Sequence, residues 1–348
     1  MCKNSNIQTY SKEGSSPCGE VFSFNFSGIV SNPNEEISYT RLFLFSKCVL
    51  CSPKRSGRKK RFQVSKFLLD NISLWNDGEW ETLWKRVKAR SNPKNFKRKK
   101  NKNKNKNSNS NEVDENESIS KVVLEKVKSS ISEGNFSKAM ENLLSSGLAE
   151  FSDETFSKLK DKHPEGNPVE VEGKLTEEEC YEFTTKIVLE TVLDFSKGSS
   201  GGNFTFRAEF LKETLKCGVD EVEFDLLKSL TDFLNILVQG RVPKEVVPFL
   251  VGGSLCALLK KSGGIRPVAV GEFFRRLVSK IICKLEKRNA AEYFMPFQVG
   301  VGVKGGTEIA VKSVLEVINR LGGIQNQEYV MLKIDFRNAF NLVDRSEF

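Results

Sequence analysis

The sequence predicts an α+β protein in which a long helical region precedes a shorter part built from a β-hairpin, helices and a strand. Three features of the chain indicate this class. Between residues 119 and 240, apolar residues recur at the three- and four-residue spacing of amphipathic helices. Beyond residue 242, two short apolar runs flank a glycine-containing turn, which is the pattern of a β-hairpin. The apolar run from Tyr329 to Ile334 predicts a buried strand that ends at Asp335.

The composition indicates a chain with a hydrophobic core and an excess of positive charge. Its 348 residues allow two or three domains, and apolar residues make up 39% of them. The formal net charge of +9 makes a polyanionic partner an expectation. The eight cysteines are too sparse for a disulfide scaffold. The chain shows no signal peptide and no apolar run of the roughly 20 residues that a membrane span needs. We therefore expect an intracellular protein, nuclear or cytoplasmic, without membrane association.

Residues 1–90 are predicted to form a small basic N-terminal region of mixed composition. The apolar stretch from Arg41 to Leu50 predicts a strand or a short buried element. A helix is predicted from Phe62 to Leu74. The tryptophans that follow it predict one face of another helix, and they are Trp75, Trp80 and Trp84.

Residues 91–120 predict a disordered basic linker rich in lysine and asparagine. The segment KRKKNKNKNKNSNSN has no apolar residue whose burial could offset the entropy of ordering it. From Lys85 to Lys106 the chain carries twelve lysines and arginines and no acidic residue. Such a run is either a solvated tail, a nuclear localisation signal or a nucleic-acid contact. The candidate contacts here and in an earlier basic loop are Lys54, Arg55, Arg58, Lys59, Lys60, Arg61, Lys97, Arg98, Lys99 and Lys100.

Residues 121–241 predict a succession of helices that begins with two short ones. The first carries Phe136, Met140, Leu143 and Leu144 on one face, and Gly147 favours a left-handed cap after it. The second is predicted over residues 152–162, where the following Pro164 stops it.

Two more helices and a joint complete this region. Thr176 with Glu179 forms a capping box that predicts a helix start. The glycine-rich stretch from Lys197 to Asn203 predicts a flexible joint. The last helix has its expected core positions at Phe224, Leu227, Leu230, Phe233, Leu234 and Leu237.

Residues 242–348 alternate between strand and helix signals. A hairpin is predicted over residues 255–270, with a turn that contains two adjacent glycines. An amphipathic helix over residues 273–285 follows it. A glycine-rich loop over residues 300–306 then leads into a helix over residues 307–321, before the strand that ends at Asp335.

Three features of this part suggest chemistry, and each has a structural alternative. Asp335 at a strand exit is either a Mg²⁺ ligand or a turn and helix-capping residue. Lys260, Lys261 and Arg266 surround the hairpin turn, where they either converge on a triphosphate or form an exposed basic turn. Lys304 precedes a helix start whose amides can face a phosphate, although a glycine-rich loop alone is common.

Three collinear segments carry a more specific pattern. They read KKSGGIRPVAVGEFFRRLVSK, QVGVGVKGGTEIAV and LKIDFRNAFNLVDR. Together they closely resemble the fingers and first palm motif of reverse transcriptases, in the form found in non-LTR retrotransposons. The resemblance covers Val242 to Phe348, and it extends less closely upstream through SKAMENLLSSGLAEFSDETFSKLKDKHPEG.

The resemblance implies a partial right-hand polymerase that contains the fingers and the start of the palm. Asp335 matches the first metal-binding aspartate, and the backbone carbonyl of Phe336 matches a further contact to the metal, Mg²⁺. The implied reaction is RNA-directed DNA synthesis by two-metal phosphoryl transfer, with an RNA template, a DNA primer and a dNTP as partners.

The resemblance also assigns the nucleotide contacts. Lys260 or Lys261, together with Arg266, match the cations that bind the incoming triphosphate. Phe340 matches the bulky steric gate that selects deoxynucleotides. The segment that holds Gln298 matches a region near the template or primer.

One departure from the family limits what we expect of this chain. The family's second carboxylate motif, an aspartate pair in a sequence like YADD, does not occur in it, and a thumb is also absent. We therefore expect a reverse transcriptase fragment that is inactive alone in primer extension. The alternative is a non-catalytic basic nucleic-acid-binding protein derived from a retroelement.

Overall fold

The computed structural model describes residues 17–50, 60–91, 115–132, 134–164, 180–215, 220–261, 263–322, 330–336 and 338–342. The described chain is mostly helical with one two-stranded antiparallel sheet, so the α+β class is confirmed at that level. In chain order the elements are α1 (Pro17–Ser31), α2 (Glu36–Cys48), α3 (Lys60–Asn76), α4 (Trp80–Ser91), α5 (Glu115–Ser132), α6 (Phe136–Leu144), α7 (Asp153–Lys162), α8 (Thr185–Leu193), α9 (Ala208–Thr214), α10 (Asp220–Val238), α11 (Val247–Val251), β1 (Gly253–Leu259), β2 (Ile265–Gly271), α12 (Phe273–Leu285), α13 (Lys287–Phe294), α14 (Gly306–Arg320) and α15 (Ala339–Leu342).

Five of the predicted helices and the hairpin form close to their expected bounds. They are α3, α7, α10, α12, α14 and the β1–β2 pair. Helix α7 begins because the Ser152 side chain accepts a hydrogen bond from the N–H of Thr155, an N-cap. Helix α8 also forms, but its cap is Thr184, whose side chain accepts from the N–H of Ile187. The capping box predicted at residues 176–179 lies outside the described residues.

The apolar stretch from Arg41 to Leu50 is largely buried, as one of its two interpretations held, but up to Cys48 it belongs to helix α2 rather than to a strand. Tyr39, Leu42, Phe43 and Ser46 are all buried. Their spacing of three and four residues places them on one helix face. A continuous apolar run in a short window fits a buried strand or a buried helix equally well.

The predicted strand before Asp335 is not formed. Residues 330–334 carry no strand pairing among the described residues, and the side chains of Val330 and Leu332 are 93% and 78% exposed. A strand forms only when a neighbouring strand takes up its N–H and C=O groups. Within the described chain the only sheet is β1–β2, and this run does not join it.

Helix α6 also differs from expectation. The apolar face that the sequence predicts is exposed, with Phe136 at 68% and Leu144 at 49%. Gly147 has a left-handed φ of 85°, but it lies beyond the helix, which Ser145 ends in an extended conformation. The segment after α6 instead pairs with the outer edge of β1, where the N–H of Ala149 donates to the carbonyl of Ala257 at 2.9 Å.

The core is an aromatic cluster that joins the N-terminal helices to the later part of the chain. Phe26 of α1 lies 5.3 Å from Phe233 of α10, measured between ring centroids. Phe274 of α12 lies 4.7 Å from Phe206 and 5.9 Å from Phe26. Helices α1–α4 therefore share one core with α8–α10 and α12.

The predicted disordered linker extends too far at its C-terminal end. Helix α5 begins at Glu115, so the last six residues of the predicted 91–120 segment are helical. Residues 92–114 lie outside the described part of the chain.

The stretch predicted as a flexible joint, residues 197–203, is a loop that is held at its end. The buried carboxylate of Glu272 accepts hydrogen bonds from the N–H of Asn203 at 2.5 Å and of Phe204 at 3.4 Å. Gly202 has a φ of 69°, and a Cβ there would meet the Glu272 carboxylate at 2.5 Å. The glycine is therefore required for a close approach, and the loop is anchored to α12 rather than free.

Replacing Glu213 with glutamine is expected to make the protein more stable than the wild type at neutral and higher pH. Burial, and secondarily the charge of Glu209, raises the pKa of Glu213 from 4.5 to about 7. As pH rises from 4.5 to 7 the unfolded chain releases a proton that the folded protein keeps, so stability falls. Solvent screening reduces the full effect of this shift on stability, because the Glu213 side chain is only partly buried. The free energy of unfolding of Glu213→Gln should therefore exceed that of the wild type by on the order of 2 kcal/mol at about pH 8, and by little at about pH 4.

Urea unfolding at both pH values measures this difference. The exposed Glu245→Gln is the matched control and should follow the wild type. A Glu213→Gln variant whose stability falls with pH as the wild type's does would contradict the expectation.

Candidate functional site

A cleft of about 1160 Å³ is formed by three segments that are far apart in sequence. They are the C-terminal half of α7, the turn end of the β1–β2 hairpin and the described residues between positions 334 and 342. Among the described residues, its charged lining consists of Lys158, Asp161, Lys162, Lys260, Arg266 and Asp335.

Two hairpin cations line the cleft from one face of the hairpin. Arg266 pairs with Leu258 in the β1–β2 register, and Lys260 follows Leu258 by two residues, so side-chain alternation directs both cations the same way. The N–H of Lys260 donates to the carbonyl of Gly264 at 3.0 Å, which closes the turn. Lys261, one residue further into the turn, is exposed and does not contribute to the lining.

The segment that carries Asp335 is shaped by an asparagine. Asn338 has a left-handed φ of 55°, a conformation that asparagine tolerates better than most residues. Its carbonyl accepts the N–H groups of Asn341 at 3.1 Å and Leu342 at 3.2 Å, which starts α15. The side-chain amide of Asn341 donates to the Asn338 side chain at 2.9 Å. The chain therefore turns directly after Asp335 and Phe336, both of which line the cleft.

Helix α7 is the third wall, and it bonds to both other segments. The Nζ of Lys162 donates to the backbone carbonyl of Ile265 at 2.6 Å, at the start of β2. The Nδ2 of Asn338 donates to the backbone carbonyl of Lys162 at 2.7 Å. One residue of α7 is thus bonded to the hairpin and to the turn after Asp335.

The structure brings together some of the predicted site residues. Asp335, Phe336, Lys260 and Arg266 line one cleft. Lys304 is exposed and is not part of that lining.

Several other predicted residues lie wholly or partly outside the description. Phe340 falls within α15, but its side chain is not described. Lys60 and Arg61 begin α3, and their side chains are likewise outside the description. The remaining basic candidates lie in undescribed segments, and they are Lys54, Arg55, Arg58, Lys59, Lys97, Arg98, Lys99 and Lys100.

The glycine-rich loop before α14 has a packing role. A Cβ at the buried Gly306 would lie 1.7 Å from the carbonyl oxygen of Val299, so only glycine lets the two backbones meet there. Gly305 precedes it with a left-handed φ of 71° and serves as the N-cap of α14. Close backbone packing and the left-handed cap thus explain why glycines occupy these two positions.

Sequence reasoning missed the contribution of α7. Lys158, Asp161 and Lys162 lie on one face because they are three and four residues apart, and this face lines the cleft. The helix itself was predicted, but a pair of lysines on an exposed helix has no local signature of a distant contact. Asn338 was missed for the same reason, since its partner Lys162 lies 176 residues earlier.

The cleft is suited to an anion that carries a metal. Among the described residues, four cations and two carboxylates give its lining a formal net charge of +2. Asp335 and the carbonyl of Phe336 are hard oxygen donors of the kind that Mg²⁺ prefers, and Mg²⁺ commonly takes one or two carboxylates plus substrate phosphates. Within the described residues, no group of three or more His, Cys, Asp or Glu forms a closed metal site.

Two further findings concern membrane-spanning helices and similarity to known proteins. In the described part of the chain, no helix has both the length and the apolar character needed to cross a membrane. Compared with known proteins, the chain matches no protein-family model and has no significant match to a curated protein.

Proposed function

We propose that the chain carries the nucleotide-binding part of a reverse transcriptase, with a Mg²⁺-bound deoxynucleoside triphosphate as its ligand. One observation carries this proposal: Lys260, Arg266 and Asp335 line the same cleft, although the sequence separates Asp335 from the other two by about 70 residues. A Mg²⁺ complex of a fully ionised triphosphate carries a charge of about −2, which complements the +2 of the lining.

Each residue has a defined role in this proposal. Arg266 binds the triphosphate through paired N–H groups, and Lys260 adds a point charge. Asp335 and the carbonyl of Phe336 would hold Mg²⁺, which would supply positive charge to offset that of the phosphates. Phe340 follows on α15 as the steric gate. We also propose that the chain contains the fingers and the start of the palm of such a polymerase. Its nucleic-acid partners would be an RNA template and a DNA primer.

A second candidate function is favoured by the charge distribution. The net charge of +9 and the twelve cations between residues 85 and 106 suit a non-catalytic nucleic-acid-binding protein derived from a retroelement. Under this alternative, binding depends on the basic segments and on salt, and it is indifferent to Asp335 and Phe340.

Replacing Asp335 with asparagine is expected to remove most of the gain in dTTP affinity that Mg²⁺ provides. In the wild type, Mg²⁺ should tighten binding about tenfold, because its positive charge would offset the repulsion between the Asp335 carboxylate and the phosphates. In Asp335→Asn this gain should largely disappear. In EDTA, however, the variant should bind dTTP more tightly than the wild type, because a carboxylate that repels the triphosphate is gone. Calorimetric titration with and without Mg²⁺ measures all four affinities.

The control is Asp225→Asn, which removes an exposed carboxylate on α10 away from the cleft. This variant should behave as the wild type in both conditions. If the wild type binds no dTTP, or if Asp335→Asn keeps the full effect of Mg²⁺, the proposed function is wrong.

A further inference from the structure

We propose that Lys162 is a positioning residue that holds the phosphate-binding hairpin and the Asp335 turn in one cleft. The inference rests on the proposed function for its ligand, a Mg²⁺-bound nucleoside triphosphate. It adds a helix that precedes the hairpin by about 100 residues to that site. Lys162 lines the cleft, but its role in this proposal is to position other residues.

The first connection fixes the hairpin. The Nζ of Lys162 donates to the carbonyl of Ile265 at 2.6 Å. Ile265 is buried, with 4% of its surface exposed, and it directly precedes Arg266. Holding its carbonyl therefore fixes the backbone from which the Arg266 side chain projects into the cleft.

The second connection fixes the turn after Asp335. The carbonyl of Lys162 accepts the Nδ2 of Asn338 at 2.7 Å. Asn338 lies three residues after Asp335, and it also supplies the carbonyl that starts α15. The backbone next to Arg266 and the turn after Asp335 are thus both hydrogen-bonded to Lys162, a single residue of α7.

Lys162 differs in this respect from Lys158, one turn earlier on the same helix. The Nζ of Lys158 pairs with Glu154 at 2.5 Å, and the two side chains are 51% and 76% exposed. Exposed pairs of this kind contribute little to stability. A charged donor on a backbone carbonyl is a stronger and more directional contact. Lys158 lines the cleft without such a contact, so it provides the matched control.

The test uses Lys162→Met, which removes the donor but keeps most of the aliphatic side chain. Hydrogen exchange measured by mass spectrometry should show about tenfold faster exchange in both β2 and residues 338–342, with α1 and α2 unchanged. The affinity for Mg²⁺–dTTP should fall about tenfold. Lys158→Met should leave exchange in both segments unchanged and weaken dTTP binding only by the loss of one charge.

Two further variants make the test specific. Lys162→Arg retains a charged donor and should restore slow exchange and most of the affinity. Asn338→Ala should speed exchange in residues 338–342 but leave β2 as in the wild type, because the Lys162–Ile265 bond remains.

The outcomes separate the two proposals. If Lys162→Met leaves exchange in both segments unchanged, or binds Mg²⁺–dTTP as the wild type does, Lys162 is not a positioning residue. If the wild type binds no dTTP, the proposed function is wrong, and a nucleoside triphosphate is not the ligand of this cleft. Coupled loosening of both segments would still support the connection through Lys162.

Discussion

Replacing Phe274 with alanine is expected to lower the free energy of unfolding by about 3–5 kcal/mol. The Phe274 ring is 3% exposed, and its centroid lies within 6 Å of four other rings. These rings come from α1, the loop before α9, α10 and α12, and they belong to Phe26, Phe206, Phe233 and Phe273. The variant loses both the transfer free energy of the ring and its contacts around the cavity that remains.

Urea denaturation followed by fluorescence and by circular dichroism measures this loss. Phe151→Ala is the matched control, because that ring is fully exposed and its removal should change stability little. The two probes should report one transition if α1 and α12 share a core. A loss below about 1 kcal/mol, or an N-terminal transition separate from the rest, would contradict the shared core.

Replacing Arg266 with alanine is expected to weaken Mg²⁺–dTTP binding about 10- to 100-fold. A hydrogen-bonded contact between a guanidinium and a phosphate contributes about 1.5–3 kcal/mol, which corresponds to this range. Arg266 is exposed on the hairpin and lines the cleft, so its removal leaves the core of the protein intact. The effect should therefore appear in affinity and not in thermal stability.

Lys261→Ala is the matched control for Arg266. Lys261 lies on the same hairpin turn and is exposed, but it does not line the cleft. Its replacement should leave the affinity nearly unchanged, although it removes the same unit of charge. Equal weakening by both variants would indicate a general attraction of the basic turn for anions rather than a site.

The elements that the sequence predicts well are those with local signals. Helix α7 has a serine cap before it and a proline after it, and α10 has an apolar period along most of its length. The hairpin is defined by two glycines between two apolar runs, and both glycines adopt positive φ. Each of these patterns is contained within about 20 residues, so no knowledge of distant contacts is required.

The features that sequence reasoning missed depend on distant residues. The run before Asp335 has strand composition, but strand formation needs a neighbour that the described chain does not supply. Helix α2 was open to two interpretations because its burial comes from α1, α4 and the Phe204–Phe206 loop. The bond between Lys162 and Ile265 joins residues 103 apart, and no local pattern indicates it.

Photolabelling tests most directly whether this one cleft binds the triphosphate of a nucleotide. A dTTP analogue with a photoreactive group on its γ-phosphate would be bound with Mg²⁺, irradiated, and its adducts mapped by mass spectrometry. We expect adducts within residues 153–162, 253–271 or 330–342, suppressed by excess Mg²⁺–dTTP and strongly reduced in Arg266→Ala. Adducts confined to the basic run of residues 85–106, or unaffected by competing dTTP, would contradict the proposed site.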